Sequence, residues 1–211
     1  MTPKRLLIAA GGTGGHMFPA RATADALMAR GWSVKLVTDA RGARHATDFP
    51  GEPVGEIEAS SPFAKNPVRM AQSVMKLTRG VFQARTIMAE FKPHVVAGFG
   101  GYPAFPVLSA AWSYSIPRII HEQNAVLGRV NRLLAGRVDA IVTAYPDVER
   151  LKSRHAGKVH LIGNPVREEV KQLREEEFPA LTDESVFRLL VIGGSQGASI
   201  LSNVVPEGLS M

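Results

Sequence analysis

Residues 5–16 read RLLIAAGGTGGH, and this stretch decides the fold. Its first half, Arg5 to Ala10, is short and almost wholly apolar, which is typical of a strand buried on both faces of a parallel sheet. Its second half holds four glycines in five positions before a helical pattern that begins near Phe18. Because glycine allows left-handed backbone and close approach at low cost, we predict a strand, a tight loop and a helix, in that order.

The same alternation of short apolar runs and helical patterns continues along the chain. It predicts an α/β protein built from βαβ units around a parallel sheet. Six further strands are expected in the first part of the chain, at Ser33 to Thr38, Val54 to Glu58, His94 to Ala97, Arg118 to His121, Ala140 to Thr143 and Lys158 to Ile162. Helices are expected at Phe18 to Arg30, Pro67 to Phe91, Ala104 to Tyr114 and Val126 to Leu134.

A polar segment with three consecutive glutamates interrupts this pattern and predicts a linker. The expected organisation is an N-terminal domain at residues 1–170, a linker at 171–184 and the start of a second domain at 185–211. In that second domain an apolar run at Phe187 to Ile192, followed by glycines, repeats the opening of the chain and predicts another strand, loop and helix. One strand and one helix cannot bury a core alone, so the second domain is expected to be incomplete.

Composition limits the class of protein and of partner. A net charge of +6 favours negatively charged partners. Nucleic acid is not expected, because only 7% of the residues are aromatic and no long Lys/Arg cluster is present. No run approaches the roughly 18 apolar residues of a spanning helix, no signal-like segment follows Met1, and there is no cysteine. A soluble protein of a reducing cytoplasm is therefore expected.

Two further loops follow predicted strands, so they should meet the first loop at the carboxyl edge of the sheet. They are GFGGYP at residues 98–103, with Gly100, Gly101 and Tyr102, and HEQN at residues 121–124. Ligand contact and hydrogen bonds to neighbouring loops explain His121 and Glu122 equally well. Asn124, which carries both a donor and an acceptor, is the better candidate for contact with a sugar.

Two more motifs indicate a phosphate-bearing ligand. GNPVR at residues 163–167 makes a rigid turn and presents Arg167, whose guanidinium suits phosphate or carboxylate. GGSQGA at residues 193–198 offers backbone N–H groups and the Ser195 hydroxyl to a diphosphate, and it includes Gln196 and Gly197. Neither an Asp-x-Asp pair nor a His-x-x-x-His pair occurs, so no metal site is predicted.

A nicotinamide- or flavin-dependent enzyme is an alternative. Gly12 and Gly14 begin a dinucleotide-binding pattern, and Asp39 at the end of the second strand stands where a ribose-binding acid would be. Against this, Met17 occupies the position of the third glycine of that pattern.

Taken together, the motifs resemble one family. AAGGTGGH followed by Pro19, then GFGGYP, HEQN, GNPVR and GGSQGA, occur in this order in the MurG family, the UDP-GlcNAc transferases of peptidoglycan synthesis. The resemblance covers essentially the whole chain. It implies a GT-B fold of two Rossmann-like domains, with this chain holding the first domain plus the first strand and helix of the second. It also implies inverting transfer of GlcNAc from UDP-GlcNAc to the C4 hydroxyl of MurNAc in undecaprenyl-linked lipid I, which gives lipid II, without a cofactor.

The resemblance also implies roles for individual residues. Thr13, Gly14, Gly15 and Asn124 would approach the GlcNAc and the acceptor, Arg167 and Ser195 would contact the nucleotide-sugar, and Gly100, Gly101, Tyr102, Glu122, Gln196 and Gly197 would support these loops. His16 would be the base near the acceptor hydroxyl, because a neutral imidazole titrates in the right range. Capping of the first helix, or a hydrogen bond to the loop, is the alternative role for His16.

Residues 65–91 combine apolar side chains with lysine and arginine, including Arg79 and Arg85. Such a basic amphipathic element is suited to an anionic membrane surface, which an enzyme with a polyprenyl substrate requires. An ordinary helix that covers the sheet is the alternative. The family resemblance favours peripheral contact with the cytoplasmic face of the bacterial inner membrane.

The second functional hypothesis is a non-catalytic binding module. Family members continue past Met211, and their remaining residues normally make most of the contacts with uridine and ribose. A chain that keeps the acceptor loops without those contacts would bind ligand without turning it over.

Overall fold

A computed structural model describes residues 2–63, 66–177, 180, 182, 186, 188–193 and 198–209. The chain divides into two compact units, Met1–Lys171 and Gln172–Met211. We describe each unit by itself.

The first unit is built on a seven-stranded sheet in which every neighbouring pair of strands is parallel. The strands are β1 (Arg5–Ala9), β2 (Ser33–Thr38), β3 (Glu52–Glu56), β4 (Val95–Gly98), β5 (Arg118–Glu122), β6 (Ala140–Thr143) and β7 (Val159–Leu161). The helices are α1 (Gly14–Met28), α2 (Ala40–Ala43), α3 (Pro67–Phe91), α4 (Ala104–Ser113), α5 (Arg129–Leu134) and α6 (Glu168–Gln172), the last of which crosses into the second unit. The predicted α/β class with a parallel sheet is confirmed.

The sheet is buried on both faces, as the sequence of β1 requires. Leu7 and Ala9 pack into a cluster with α3, α4 and α5 on one face, whereas Leu6 and Ile8 pack into a second cluster with α1 on the other. Successive side chains of a strand point to opposite faces, so an apolar run with no polar interruption buries both.

The strand order β3-β2-β1-β4-β5-β6-β7 determines where a ligand site is expected. The chain proceeds outward from β1 to β3, then returns to place β4 on the other side of β1. The helices that follow β1 and β4, α1 and α4, therefore pack on opposite faces of the sheet, and ligands of open α/β sheets bind beyond the carboxyl ends of the strands at such a point. The register pairs Ala9 with Gly98, so both loops leave the sheet at the same height.

Helix boundaries follow local chemistry. Helix α3 begins as predicted because Asn66 caps it, accepting hydrogen bonds from the backbone N–H groups of Val68 and Arg69, with Pro67 in the first turn. It ends where Lys92 adopts a left-handed conformation with φ of 51°. Helix α1 begins at Gly14, four residues before the predicted start at Phe18. The prediction had placed Gly14 and Gly15 in the loop.

The second unit contains one α-helix among its described residues apart from the end of α6, namely α7 (Ser199–Leu209). The predicted linker begins in helical conformation, with α6 followed by a short 3-10 turn at Leu173–Glu175. The predicted strand at 187–192 is wrong over its described residues, 188–192, which form no strand. A strand needs a partner for its backbone hydrogen bonds, and none of the described residues pairs with this segment. Ser195, Gln196 and Gly197 lie outside the described residues.

Candidate functional site

The loops after β1 and β4 touch through their backbones. The Gly11 N–H donates to the carbonyl oxygen of Gly100 at 3.0 Å. A Cβ atom on Gly101 would lie 2.5 Å from the Gly11 Cα, and Gly101 has a φ of +76°. Among the amino acids, glycine alone tolerates both this left-handed backbone and so close an approach. Gly11, Gly100 and Gly101 therefore serve packing between the two loops, whereas the sequence predicted that these glycines allow a ligand to approach the backbone.

His16 lies in the first turn of α1, against the β4 loop. A Cβ atom on Gly100 would lie 2.8 Å from the His16 Cε1 atom, so the missing side chain of Gly100 makes room for the imidazole ring. Its Nδ1 atom is 3.2 Å from the side-chain oxygen Oε1 of Gln123. The imidazole is thereby held by two different loops, and it does not cap α1.

The hydrogen bonds continue from Gln123 into the interior. The Gln123 amide nitrogen is 2.9 Å from Nδ1 of His121 and donates to the His121 carbonyl oxygen at 3.2 Å. Nε2 of His121 lies 3.1 Å from the carbonyl oxygen of Gly163. Burial lowers the pKa of His121 from its ordinary value, while the hydrogen bond to Gly163 and the charge of Glu122 act in the opposite direction. The His121 ring also stacks on Phe99, with 5.4 Å between ring centroids.

Glu122 is the most deeply buried acid of this region, with 1% of its surface exposed. One carboxylate oxygen accepts from the backbone N–H and the side-chain amide of Asn124, at 3.1 and 2.9 Å. The other accepts from the Gly128 N–H at 2.8 Å and from the Asn131 side chain at 2.9 Å. Four donors therefore satisfy the carboxylate, and they fix the loop between β5 and α5. Of the two roles left open for Glu122, the structure shows loop support.

A cavity of about 250 Å3, here called the edge cavity, opens between these elements. It is lined by His16, Gly100, Gly101, Tyr102, Glu122, Asn124, Gly128, Arg129, Val130 and Asn131. Asn124 is exposed, and with its amide nitrogen bound to Glu122 its amide oxygen has no hydrogen-bond partner within the described part of the chain. The cavity therefore offers an imidazole and an amide oxygen to a ligand that carries hydroxyl groups.

The remaining predicted site residues lie outside that lining. Thr13 precedes α1 and does not use its side chain as a cap, and Gly15 has open space where a side chain would be. The guanidinium of Arg167 lies over the ring of Phe18, 4.6 Å from its centroid, and so reaches the first turns of α1. Thr13, Gly15 and Arg167 therefore lie at or against the first turns of α1, while Ser195 and its neighbours fall on residues that the structure does not describe.

Asp39 has a structural partner that bears on the dinucleotide alternative. Its carboxylate accepts from the Gly42 N–H at 2.9 Å and caps α2, and it lies 3.5 Å from the Arg41 guanidinium. A Cβ atom on Gly12 would lie 2.8 Å from the Gly42 nitrogen, so this glycine serves packing against α2. Asp39 and Gly12, which the dinucleotide alternative assigned to nucleotide binding, thus make contacts with α2 of the protein itself. Among the described residues no group of three His, Cys, Asp or Glu side chains could hold a metal ion.

Sequence reasoning missed two residues of the site. Gln123 was passed over within HEQN, although it connects His16 to His121. Asn131 is 2% exposed and joins Glu122 to the His121 carbonyl, but it lies in a helical pattern with no glycine or motif to mark it. The only available signal was a polar residue at a position that the helix buries.

Comparisons with known proteins identify the family and agree with the fold. A sequence profile of the Glycosyltransferase family 28 N-terminal domain matches residues 6–143. The UDP-N-acetylglucosamine--N-acetylmuramyl-(pentapeptide) pyrophosphoryl-undecaprenol N-acetylglucosamine transferase of Maricaulis maris is 54% identical over 211 residues, which are 100% of this chain and 57% of that protein. The protein of the same name from Erythrobacter litoralis is 51% identical, over 99% of this chain and 52% of its own. This chain therefore spans little more than half the length of these relatives.

Solved structures give the same picture. The crystal structure of Acinetobacter baumannii MurG has a TM-score of 0.61 and 28% identity, over 84% of this chain and 50% of that chain. A UDP-GlcNAc 2-epimerase from Neisseria meningitidis, bound to UDP-GlcNAc, has a TM-score of 0.55 at 17% identity, over 81% of this chain and 51% of its own. The second likeness concerns the fold alone.

Proposed function

The chain belongs to glycosyltransferase family 28, and from this membership we propose that it binds the lipid-linked acceptor for transfer of GlcNAc from UDP-GlcNAc to the C4 hydroxyl of MurNAc. The product would be lipid II, the precursor used in cell-wall biogenesis, on which cell shape and division depend. The seven-stranded unit has the fold of the N-terminal half of a GT-B glycosyltransferase.

The observation that carries the proposal is the placement of His16. The imidazole lines the edge cavity at the topological switch point, together with Asn124. An inverting transfer needs a base beside the acceptor hydroxyl. The hydroxyl oxygen forms the new bond to C1 of GlcNAc, its proton passes to the imidazole of His16, and UDP leaves with the electron pair of the broken C1–O bond. A helix N-terminus would stabilise the departing diphosphate without a metal.

Binding and turnover separate the two functional hypotheses. We expect a soluble analogue of the lipid-linked acceptor to bind the chain in calorimetry, and replacement of Asn124 by alanine to weaken that binding about tenfold, which corresponds to one lost hydrogen bond. Release of UDP from UDP-GlcNAc in the presence of the acceptor is measured alongside. For His16→Ala we expect unchanged acceptor binding and turnover reduced about 100-fold or more.

Each outcome is decisive for one hypothesis. Acceptor binding without turnover supports the binding module, and turnover that His16→Ala abolishes supports the transferase. Binding of NADH with no binding of the acceptor would refute both the transferase and the binding module, and it would support the dinucleotide-dependent enzyme.

We also propose that the first unit lies on an anionic membrane surface. The first ten residues of α3, 67–76, include no buried residue, although Val68, Val74 and Met75 are apolar. The packing of α3 on the sheet comes from Leu77, Gly80, Ala84 and Met88, which lie in its later turns. Only that part of α3 covers the sheet. No helix among the described residues is long and apolar enough to cross a bilayer.

Two adjoining cavities extend this surface. An apolar cavity of about 270 Å3 lies beside α3 and is lined by Pro62, Phe63, Val74, Leu77, Thr78, Val81, Tyr102, Phe105, Val130 and Leu133. A basic cavity of about 400 Å3 shares Phe63 and Leu133 with it, and its lining includes Arg129, Arg132, Arg150, Lys152 and Arg154. None of the described residues that line the basic cavity is acidic. Apolar area beside unpaired cations suits a layer of acyl chains beneath phosphate headgroups.

Arg79 and Arg85 are weaker candidates for contact with anionic lipid than the sequence suggested, because both have partners within the protein. Arg79 lies 3.8 Å from Glu58, and Arg85 donates to the Ser113 hydroxyl at 2.9 Å. Charge reversal at the basic cavity is therefore the sharper experiment, because its cations have no acidic partner in the lining.

Co-sedimentation with vesicles of anionic and of zwitterionic lipid tests the membrane proposal. Each cation near such a surface contributes about 1 kcal/mol, so the double variant Arg150→Glu/Lys152→Glu should bind anionic vesicles at least tenfold more weakly. The matched control is Arg30→Glu/Arg44→Glu, which makes the same change in charge at two exposed positions outside both cavities. Equal loss of binding in the two double variants would reduce the effect to net charge and refute the proposed surface.

A further inference from the structure

We propose that Gln123 is a positioning residue, which holds His16 in the tautomer that carries its proton on Nδ1 and leaves Nε2 free to accept one. The inference follows from the chain of hydrogen bonds between Gly163 and His16, in which only one assignment of protons satisfies every contact.

The assignment begins at the buried end. The carbonyl oxygen of Gly163 can only accept, and it lies 3.1 Å from Nε2 of His121, so Nε2 carries a proton. His121 is 5% exposed, and burial lowers its pKa, which favours the neutral ring. A neutral ring with its proton on Nε2 has a lone pair on Nδ1. His121 therefore presents an acceptor to Gln123.

This acceptor fixes the orientation of the Gln123 amide. Its nitrogen lies 2.9 Å from Nδ1 of His121 and 3.2 Å from the His121 carbonyl oxygen, and both of these atoms accept. Rotating the amide by half a turn would place its oxygen against two acceptors and lose both hydrogen bonds. The amide oxygen of Gln123 must consequently face His16.

The last contact sets the tautomer of His16. An amide oxygen only accepts, and Oε1 of Gln123 lies 3.2 Å from Nδ1 of His16, so that nitrogen carries the proton. The ring is held in this orientation by Gly100, whose missing side chain leaves room for Cε1 and Nδ1. In a free histidine side chain the Nε2–H tautomer is the more populated, so the protein reverses the natural preference. If the proposed transfer is right, Nε2 is the atom that takes the acceptor proton.

Nitrogen NMR measures this inference without any substrate. In the complete chain labelled with 15N-histidine, long-range proton–nitrogen spectra distinguish a protonated from an unprotonated ring nitrogen. His16→Gln identifies the His16 signals by their loss. We expect the wild-type protein at neutral pH to show an unprotonated Nε2 and a protonated Nδ1 at His16. A predominant Nε2–H form in the wild-type protein would overturn the proposal without any variant.

One variant of Gln123 tests its role in the assignment. Gln123→Leu removes the acceptor and should return His16 to mostly Nε2–H. Gln83→Leu is the control and should leave the ratio unchanged, because this glutamine lies within α3 and its side-chain oxygen accepts from the Glu58 N–H, away from His16. An unchanged ratio in Gln123→Leu would refute the positioning role.

Turnover gives a separate readout. Gln123→Leu should lower kcat about tenfold with little change in KM, because only the fraction of His16 in the competent tautomer acts as base. If the tautomer is as proposed and the wild-type chain shows no transfer, the proposed function fails and the positioning of His16 by Gln123 stands.

Discussion

Replacement of Glu122 by glutamine is expected to destabilise the first unit by about 3 kcal/mol. The carboxylate accepts four hydrogen bonds, two on each oxygen, from Asn124, Gly128 and Asn131. Glutamine has nearly the same shape, but one of its two terminal atoms is an NH2 group. Whichever way the amide is placed, that group meets two donors, so two hydrogen bonds are lost.

The magnitude follows from this count. A hydrogen bond to a charged group contributes about 1.5–3 kcal/mol, so two of them contribute about 3–6 kcal/mol. Replacing a buried charge with a neutral amide removes part of the desolvation cost and recovers on the order of 1–2 kcal/mol. The net loss of about 3 kcal/mol corresponds to a decrease in Tm of about 6–12 °C in a chain of this size.

Urea unfolding followed by circular dichroism measures the change. Glu149→Gln is the matched control, because this exposed glutamate undergoes the same chemical change without the four donors. We expect the control to stay within about 0.5 kcal/mol of the wild-type protein. If Glu122→Gln also stays within that margin, the carboxylate does not hold the loop between β5 and α5, and the account of the site is wrong.

Two further predictions concern the loops and the buried histidine. Gly101→Ala should lower the free energy of unfolding by about 2 kcal/mol or more, because a Cβ atom on this left-handed residue would lie 2.5 Å from the Gly11 Cα. Gly15→Ala, with open space around it, should be neutral or stabilising in the same urea unfolding experiment. Burial lowers the pKa of His121 from its ordinary value of 6.5. As the pH falls below about 6.5, this side chain therefore binds a proton more readily in the unfolded chain than in the folded one. Stability should therefore fall as the pH drops from about 7.5 to about 5.5. His121→Asn should show a smaller fall, and an equal fall in the variant would refute the assignment to His121.

The sheet could be predicted from sequence because its signal is local. Apolar runs such as Arg5 to Ala10 bury both faces wherever they are placed, and glycine or proline marks their ends. The segment at 188–192 shows the limit of this reasoning, because it has the same pattern and forms no strand. An apolar run specifies a strand only when another strand is available to pair with it.

The site was predictable in location and less so in detail. Parallel strands end at one edge, which brought His16, Tyr102 and Asn124 to a common cavity. The contact between Gly11 and Gly101 joins residues that are far apart in the chain, and no local pattern distinguishes it from a glycine kept for a ligand. Gln123 was missed because its importance depends on which atoms of His16 and His121 face it.

The backbone contact between the two loops also bears on how this protein can change over generations. Because Gly11 and Gly101 meet main chain to main chain, the spacing of β1 and β4 at the site does not depend on any side chain that lines the edge cavity. Substitutions at lining positions that carry none of the contacts between the loops, such as Tyr102 and Arg129, alter what fits while leaving the frame that carries His16 in place. Such a frame lets the choice of ligand diverge under selection without moving His16.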